Sequence, residues 1–227
     1  MILQKKESMK IDLDIVPEEL LPLAQHAQQF MQVRNLFRAA IKEVNTKLEI
    51  LDDEFHVKHA YNPIHHMECR VKSYQSLINK VKRLGLELDD DIFSKIYDIG
   101  GIRVICKYTN DIYKIRDMLL RQTDITLFQE KDYIKNPKES GYRSLHLIVH
   151  VPVFFSETTE LVPVEIQIRT IIMDTWASLD HELKYKRENS PLSEDATEAL
   201  KICAEEMHSI DILMEQIHNE DELHKLF

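Results

Sequence analysis

Tyr97-Asp-Ile-Gly-Gly-Ile-Arg-Val104, Ser140-Gly-Tyr-Arg-Ser-Leu-His146 and Val164-Glu-Ile-Gln-Ile-Arg-Thr170 are the three stretches whose reading decides the fold. Successive side chains of a strand point to opposite faces, so Val164, Ile166 and Ile168 share an apolar face, and Glu165, Gln167 and Arg169 share the other. The same parity puts Tyr142, Ser144, His146 and His150 on one face, and Leu145, Leu147, Val149 and Val151 on the opposite one. Two strands with apolar backs and polar, aromatic fronts are expected to form one wall of a cleft. Gly100-Gly101 at the head of the first stretch suits a bulge or a close ligand approach.

The rest of the chain frames these strands with helices. Pro17 followed by Glu18 and Glu19 marks a helix start. Phe30, Val33, Phe37, Ala40, Val44, Leu48 and Leu51 recur at spacings of three and four, which predicts a long amphipathic helix. A connector is expected over His56–Pro63. A second helix is predicted from about Met67 to Leu84, burying Val71, Tyr74, Ile78, Val81 and Leu84 and closed by Gly85. Asn110 is expected to cap a helix running to about Gln122. Strands are expected near 124–129, 143–151 and 161–169, and Thr170 should open a helix through Trp176, Leu179 and Leu183. The last helix, about 193–224, carries Ala196, Leu200, Cys203, Met207, Ile210, Met214 and Ile217 at alternating four- and three-residue steps. The fold class is α+β: a mixed β-sheet flanked by helices, with long helices at both ends.

Charge and composition narrow the function classes. The formal net charge of −10 over 227 residues argues against a general nucleic-acid binder. Yet Cys69–Leu86 contains Arg70, Lys72, Lys80, Lys82 and Arg83 and no acid, whereas from Glu188 to Phe227 eleven acids face two lysines. A basic pocket on an acidic body suits a small anionic ligand. No apolar run approaches the ~20 residues of a membrane span, and the N-terminus lacks a signal-peptide core. Three widely spaced cysteines without a Cys-x-x-Cys pair read as reduced thiols of a cytoplasmic protein. His56, His59, His65 and His66 match no zinc spacing and read as a polar connector. Trp176 reads as core.

Arg70-Val-Lys72 with Ser76 and Lys80, the Asp98–Arg103 stretch, the Gly141-Tyr142 motif and Glu165-Ile-Gln-Ile-Arg169 agree in order and spacing with one family. Over about residues 67–186 the chain resembles the synthetase domain of the RelA/SpoT family, which makes the alarmones ppGpp and pppGpp. The resemblance implies a GTP/GDP pyrophosphokinase of the nucleotidyltransferase-like fold, which transfers the β,γ-pyrophosphate of ATP to the 3′-OH of GDP or GTP. It implies that Arg70 and Arg103 hold the adenine and that Lys72, Ser76 and Lys80 serve the ATP phosphates. Asp98 and Glu165 are expected to be catalytic and to hold Mg²⁺, which favours one or two carboxylates plus phosphate oxygens. Whether Glu165 is base, metal ligand or both stays open. On the GDP/GTP side it implies a stack on Tyr142, with Lys131, Lys138, His146, Gln167 and Arg169 around it. Lys82 and Arg83 read as surface.

The expected organisation is a leader (1–17), an N-terminal helical arm (18–66), the synthetase domain (67–187) and a C-terminal helical arm (188–227). No stretch matches the hydrolase and regulatory regions of the long relatives, so the chain is expected to be a stand-alone small synthetase acting in one direction. Apolar stripes on both arms, with the resemblance, imply a homotetramer. Some small relatives are activated by pppGpp in a cleft that uses an aromatic four positions before the Arg of Arg-Val-Lys and basic residues on the first helix. Here those positions hold His66, Asn45 and Glu49, so this chain is expected in the non-allosteric, RelP-like branch. Two alternatives remain on the same fold: a catalytically inactive nucleotide-binding regulator, and a tRNA 3′-end pyrophosphokinase.

Overall fold

A computed structural model describes residues 17–85, 96–97, 99–185 and 192–224. Among these, five strands form one mixed sheet: β1 (Ile64–Val71), β2 (Gly100–Cys106), β3 (Thr126–Asp132), β4 (Leu145–Phe154) and β5 (Thr159–Thr170), in the order β1-β2-β5-β4-β3. Only β2 and β5 run parallel; the remaining neighbours are antiparallel. The described residues also include helices α1 (Leu21–Lys58), α2 (Tyr74–Leu84), α3 (Thr109–Leu120), α4 (Ile171–Tyr185) and α5 (Glu194–His224).

The period-two reading of the strands fixes which face is core. Leu145, Leu147, Val149 and Val151 of β4 and Val162, Val164, Ile166 and Ile168 of β5 are buried on the back of the sheet. The 38-residue α1 supplies Phe30, Phe37, Ala40, Ile41, Val44 and Leu48 to the same cluster, and α3 supplies Ile112, Ile115 and Leu119. Gly100 belongs to this packing. A Cβ there would lie 3.0 Å from Ile41 Cδ1 and 3.2 Å from Phe37 Cδ1, so the absence of a side chain lets α1 approach β2 closely.

Three local expectations are corrected. Met67–Val71 is not helix but the end of edge strand β1, and helix begins only at Tyr74, where Ser73 caps it by accepting the Ser76 N–H at 3.2 Å. Leu77 and Val81 are the buried positions of α2, while Leu84 is exposed; Gly85 ends the helix in the left-handed region at φ 64°. Asn110 does not cap α3. Its N-cap is Tyr108, and Asp111 at the third helical position reaches back to accept the Tyr108 N–H at 3.3 Å and the hydroxyl of Tyr61. The α5 stripe, from which assembly is expected, is left largely uncovered: Ile210, Met214 and Ile217 are about half exposed, at 51%, 47% and 51%, while Ala204 and Asp211 are buried. Trp176 is core, and its indole N–H donates to the Leu200 carbonyl at 3.2 Å. The leader lies outside the described residues, apart from Pro17.

Candidate active site

Register places the polar fronts of all five strands in two cross-sheet rows. Residues directly opposite in neighbouring strands share a face, so one row reads Glu68 (β1), Arg103 (β2), Gln167 (β5), His146 (β4) and Lys131 (β3). The adjacent row reads Arg70, Gly101, Glu165, Ile148 and Gln129. Gly101 leaves a gap between Arg70 and Glu165, since a Cβ there would point to the Glu165 backbone oxygen at 3.4 Å and Oε2 at 3.9 Å.

That gap is the floor of a first cavity lined by Glu68, Arg70, Lys72, Ile99, Gly101, Arg103, Glu165 and Gln167. A second, larger cleft, about 470 Å³, runs over β4 and β3. It is lined by Lys80, Arg83, Tyr97, Gln129, Lys131, Tyr133, Lys138, His146, Ile148 and Glu165, among others. Glu165 is the wall shared by both. The exit of β1 is tied to the entry of β2 where Lys72 N–H donates to the Ile99 carbonyl at 2.9 Å, and this holds Lys72 at the edge of the first cavity.

Behind Glu165 the hydrogen bonds form a closed ring. Arg169 Nη2 donates to the Tyr142 hydroxyl at 2.6 Å and to Gln167 Oε1 at 2.6 Å. Tyr142 meets His146 Nε2 at 2.7 Å. His146 Nδ1 lies 3.3 Å from Glu165 Oε1, and Gln167 Nε2 donates to Glu165 Oε2 at 3.2 Å. One assignment satisfies every member: Tyr142 donates to Nε2 and a neutral His146 donates from Nδ1. Burial pushes the His146 imidazole below its ordinary pKa against the opposing pull of Glu165, and Arg169 and Lys138 add to the lowering. Burial likewise raises the Tyr142 phenol, with Arg169 opposing. Both branches thus start at Arg169 and end on the two oxygens of Glu165, which fixes the carboxylate between the two cavities. Arg169 is itself held by Asp174 of α4 at 3.1 Å.

The expected site residues fall into four groups. Arg70, Lys72 and Arg103 line the first cavity with Glu165 and Gln167, although Gln167 was expected on the GDP/GTP side. Lys131, Lys138 and His146 line the second cleft, joined there by Lys80, which was expected on the ATP side. Tyr142, Arg169 and Ser76 line neither cavity among the described residues: Tyr142 and Arg169 support the site from behind, and Ser76 sits in the first turn of α2, bonded to Ser73. Asp98 lies outside the described residues.

Four residues escaped the sequence reading. Glu68 pairs with Arg103 at 3.0 Å, and Asp174 approaches Arg103 Nε at 3.6 Å. Neither Glu68, in a stretch read as helix, nor Asp174 had a signal in the sequence. Arg83, read as surface, faces the larger cleft, and Tyr133 stands beside it with Lys138 Nζ 4.6 Å above its ring. Lys138 also lies 4.7 Å over the Tyr142 ring. Among the described residues no group of three His, Cys, Asp or Glu side chains is arranged to hold a metal ion.

Residues 69–190 match the family model described as the region found in RelA/SpoT proteins. The chain is 41% identical over 186 residues to the GTP pyrophosphokinase YwaC of Bacillus subtilis, covering 82% of this chain and 88% of that one. It is 33% identical over 184 residues to GTP pyrophosphokinase YjbM of the same organism, covering 81% and 86%. Among solved structures, small alarmone synthetase 2 of Bacillus subtilis superposes with a TM-score of 0.77 at 39% identity, over 84% of this chain and 98% of that one. Small alarmone synthetase 1 of that organism, bound to its product pppGpp, gives 0.80 at 32% identity, over 85% and 98%. With a mixed sheet whose polar rows converge on Glu165, a family match over more than half its length and relatives aligned nearly end to end, the chain belongs to the RelA/SpoT family.

Proposed function

We propose that the protein is a GTP/GDP pyrophosphokinase, a small alarmone synthetase that makes ppGpp and pppGpp for the stringent response. The observation that carries the reading is the carboxylate of Glu165, which among the described residues stands between two cavities that both carry cationic side chains. A transfer between two polyanions needs that arrangement: each substrate neutralised in its own cavity, with the nucleophile presented where they meet. The names of the aligned relatives, both GTP pyrophosphokinases, support the same reaction.

In this reading ATP occupies the first cavity, with Arg70 and Arg103 against the adenine and Lys72 on the phosphates, and Lys80 serves the phosphates from the larger cleft, which it lines. A planar guanidinium stacks on a base as readily as it pairs with an anion. GDP or GTP fills the larger cleft, its phosphates on Lys131 and Lys138 and its guanine on Tyr142, in the place Lys138 occupies over that ring. The 3′-oxygen attacks the β-phosphorus, an O3′–Pβ bond forms, the bond from Pβ to the α,β-bridging oxygen breaks, and AMP leaves with that oxygen. Glu165 is positioned to take the 3′-hydroxyl proton, since both its oxygens are already oriented by His146 and Gln167.

Mg²⁺ fits the donor set. Glu165 offers hard oxygen toward both cavities, and with Asp98 it would hold a cation whose remaining ligands are phosphate and water. When bound, the metal neutralises charge on the transferred group. The exposed α5 face of Ile202, Ile210, Leu213, Met214 and Ile217 supports assembly into a homotetramer. Among the described residues no helix is long and apolar enough to cross a membrane, and all three cysteines are free thiols, consistent with a cytoplasmic setting. Lack of activation by pppGpp is supported at Asn45 and Glu49. They hydrogen-bond to each other at 2.7 Å and present an acid where an anion site needs a cation.

The test is incubation with ATP, Mg²⁺ and GDP, GTP or tRNA, followed by chromatography of the products. Formation of ppGpp from GDP or pppGpp from GTP is expected. Modified tRNA, or nucleotide binding without any product, would favour one of the alternatives instead.

A further inference from the structure

The C-terminal helix touches neither cavity, yet it grips the loop that carries Tyr142. Gly141 has φ +84°, a conformation only glycine adopts without strain. It also lies so close to α5 that a Cβ at this position would fall 2.4 Å from the Cβ of Ala204. On the other side of Tyr142, the buried Arg143 places Nη2 3.2 Å from each carboxylate oxygen of Glu205 and Nη1 3.3 Å from the Gly141 carbonyl. Residues 204 and 205 of α5 therefore hold both neighbours of Tyr142. The loop also closes on itself around this residue, since Lys138 N–H donates to the Tyr142 carbonyl at 3.2 Å and Gly141 N–H to the Lys138 carbonyl at 2.8 Å.

Further along, α5 fixes the other anchor of the ring behind Glu165. Thr170 Oγ1 donates to Asp211 Oδ2 at 2.6 Å and accepts the Met173 N–H at 3.1 Å, capping α4. α4 in turn carries Asp174, the partner of Arg169. Tyr142 and Arg169, the two residues whose hydrogen bonds reach Glu165 through His146 and Gln167, are thus both positioned from α5. The first cavity depends on α5 only indirectly: its lining comes from β1, β2, β5 and the segments flanking β1 and β2, and the Tyr142 loop that Ala204 and Glu205 hold is no part of it.

We propose that α5 is a clasp that sets acceptor affinity, with Ala204 and Glu205 as positioning residues that hold the Tyr142 loop in its nucleotide-binding conformation without touching nucleotide. This rests on the reading of that loop as the GDP/GTP subsite. Loosening the clasp leaves the ATP cavity intact and lets the loop sample conformations that do not bind, which lowers apparent acceptor affinity by the fraction of competent loop.

Glu205 is the variant of choice because its own side chain is largely exposed, at 65%, so its replacement does not open the core. In the full-length protein, Glu205→Ala is expected to raise KM for GDP and GTP about 3–10-fold, with KM for ATP and the melting temperature little changed. Glu205→Asp is expected to recover part of the loss. Gly141→Ala should raise the acceptor KM further, and adding Ala204→Gly should restore part of it, because the double variant removes the Cβ that the first one strikes. Tyr142→Ala is measured alongside. If Tyr142→Ala raises the acceptor KM and Glu205→Ala does not, or raises both substrates' KM in parallel, the clasp is wrong while the acceptor reading stands. If Tyr142→Ala leaves the acceptor KM unchanged, the subsite itself is misplaced. No rescue of Gly141→Ala by Ala204→Gly would also overturn the clasp.

Discussion

Asp211→Asn should gain stability relative to wild type as pH rises from 5 to 8 and lose that gain as the solution is acidified. Asp211 is 1% exposed on α5, its Oδ2 accepts from Thr170, and Glu215 one turn away adds repulsion. Burial dominates and pushes its carboxyl up to about 6, against 3.8 for the free group. A carboxylate with a raised folded pKa makes the folded state the better proton binder. Its ionisation therefore costs nothing below the unfolded value, costs progressively more as pH rises from about 4 to 6, and is at full cost above that. The full cost is at most roughly 3 kcal/mol, of which on the order of 1.3 kcal/mol develops between pH 5 and pH 8. The asparagine keeps an oxygen for Thr170 and removes the charge. Its buried amide N–H groups cost about 1–3 kcal/mol if unmatched, but that cost does not vary with pH. The informative quantity is therefore the difference between variant and wild type, measured by urea unfolding at pH 5, 6, 7 and 8. It should move in favour of the variant by about 1 kcal/mol across this range. A difference that stays flat, or moves the other way, would refute the argument that burial holds this carboxyl up.

Glu165→Gln should lower turnover by at least about a hundredfold with little change in the melting curve, because the amide keeps one acceptor oxygen for the ring behind it but takes no proton; near-wild-type turnover would remove Glu165 from the chemistry. Arg103→Ala should weaken ATP and spare GDP and GTP, as its guanidinium lines only the first cavity; calorimetric titration showing equal losses for donor and acceptor would contradict the division into two cavities. Gly100→Ala should destabilise by about 1–3 kcal/mol through crowding of Ile41 and Phe37, and an unchanged or raised melting temperature would show that α1 yields freely.

The strands β4 and β5 were legible because side-chain parity is a property of sequence alone: His146, Glu165 and Gln167 could be assigned to a common polar front before any pairing was known. What parity could not supply was register. That Gly101 lies beside Glu165, and that Arg103, Gln167 and His146 share one row, depends on partners tens of residues apart. Met67–Val71 misled because edge strand β1 is polar on both faces, with His65, Glu68, Cys69 and Arg70 all exposed, so it shows no alternation. Its basic residues then merged with those of α2 into a helical spacing. On α5 the hydrophobic periodicity pointed outward, since the face that packs holds Ala204, His208 and Asp211 and is scarcely apolar. The grip of that face on Gly141 and Arg143 had no local signal at all.

The most direct test of the central claim is to follow label from ATP carrying ³²P at the β-position during a reaction with GDP. The account predicts that the label leaves ATP together with the γ-phosphate and appears in ppGpp at the 3′-position, with unlabelled AMP formed in equal amount and both products lost in Glu165→Gln. Label retained in ADP, with only the γ-phosphate transferred or released, would contradict it.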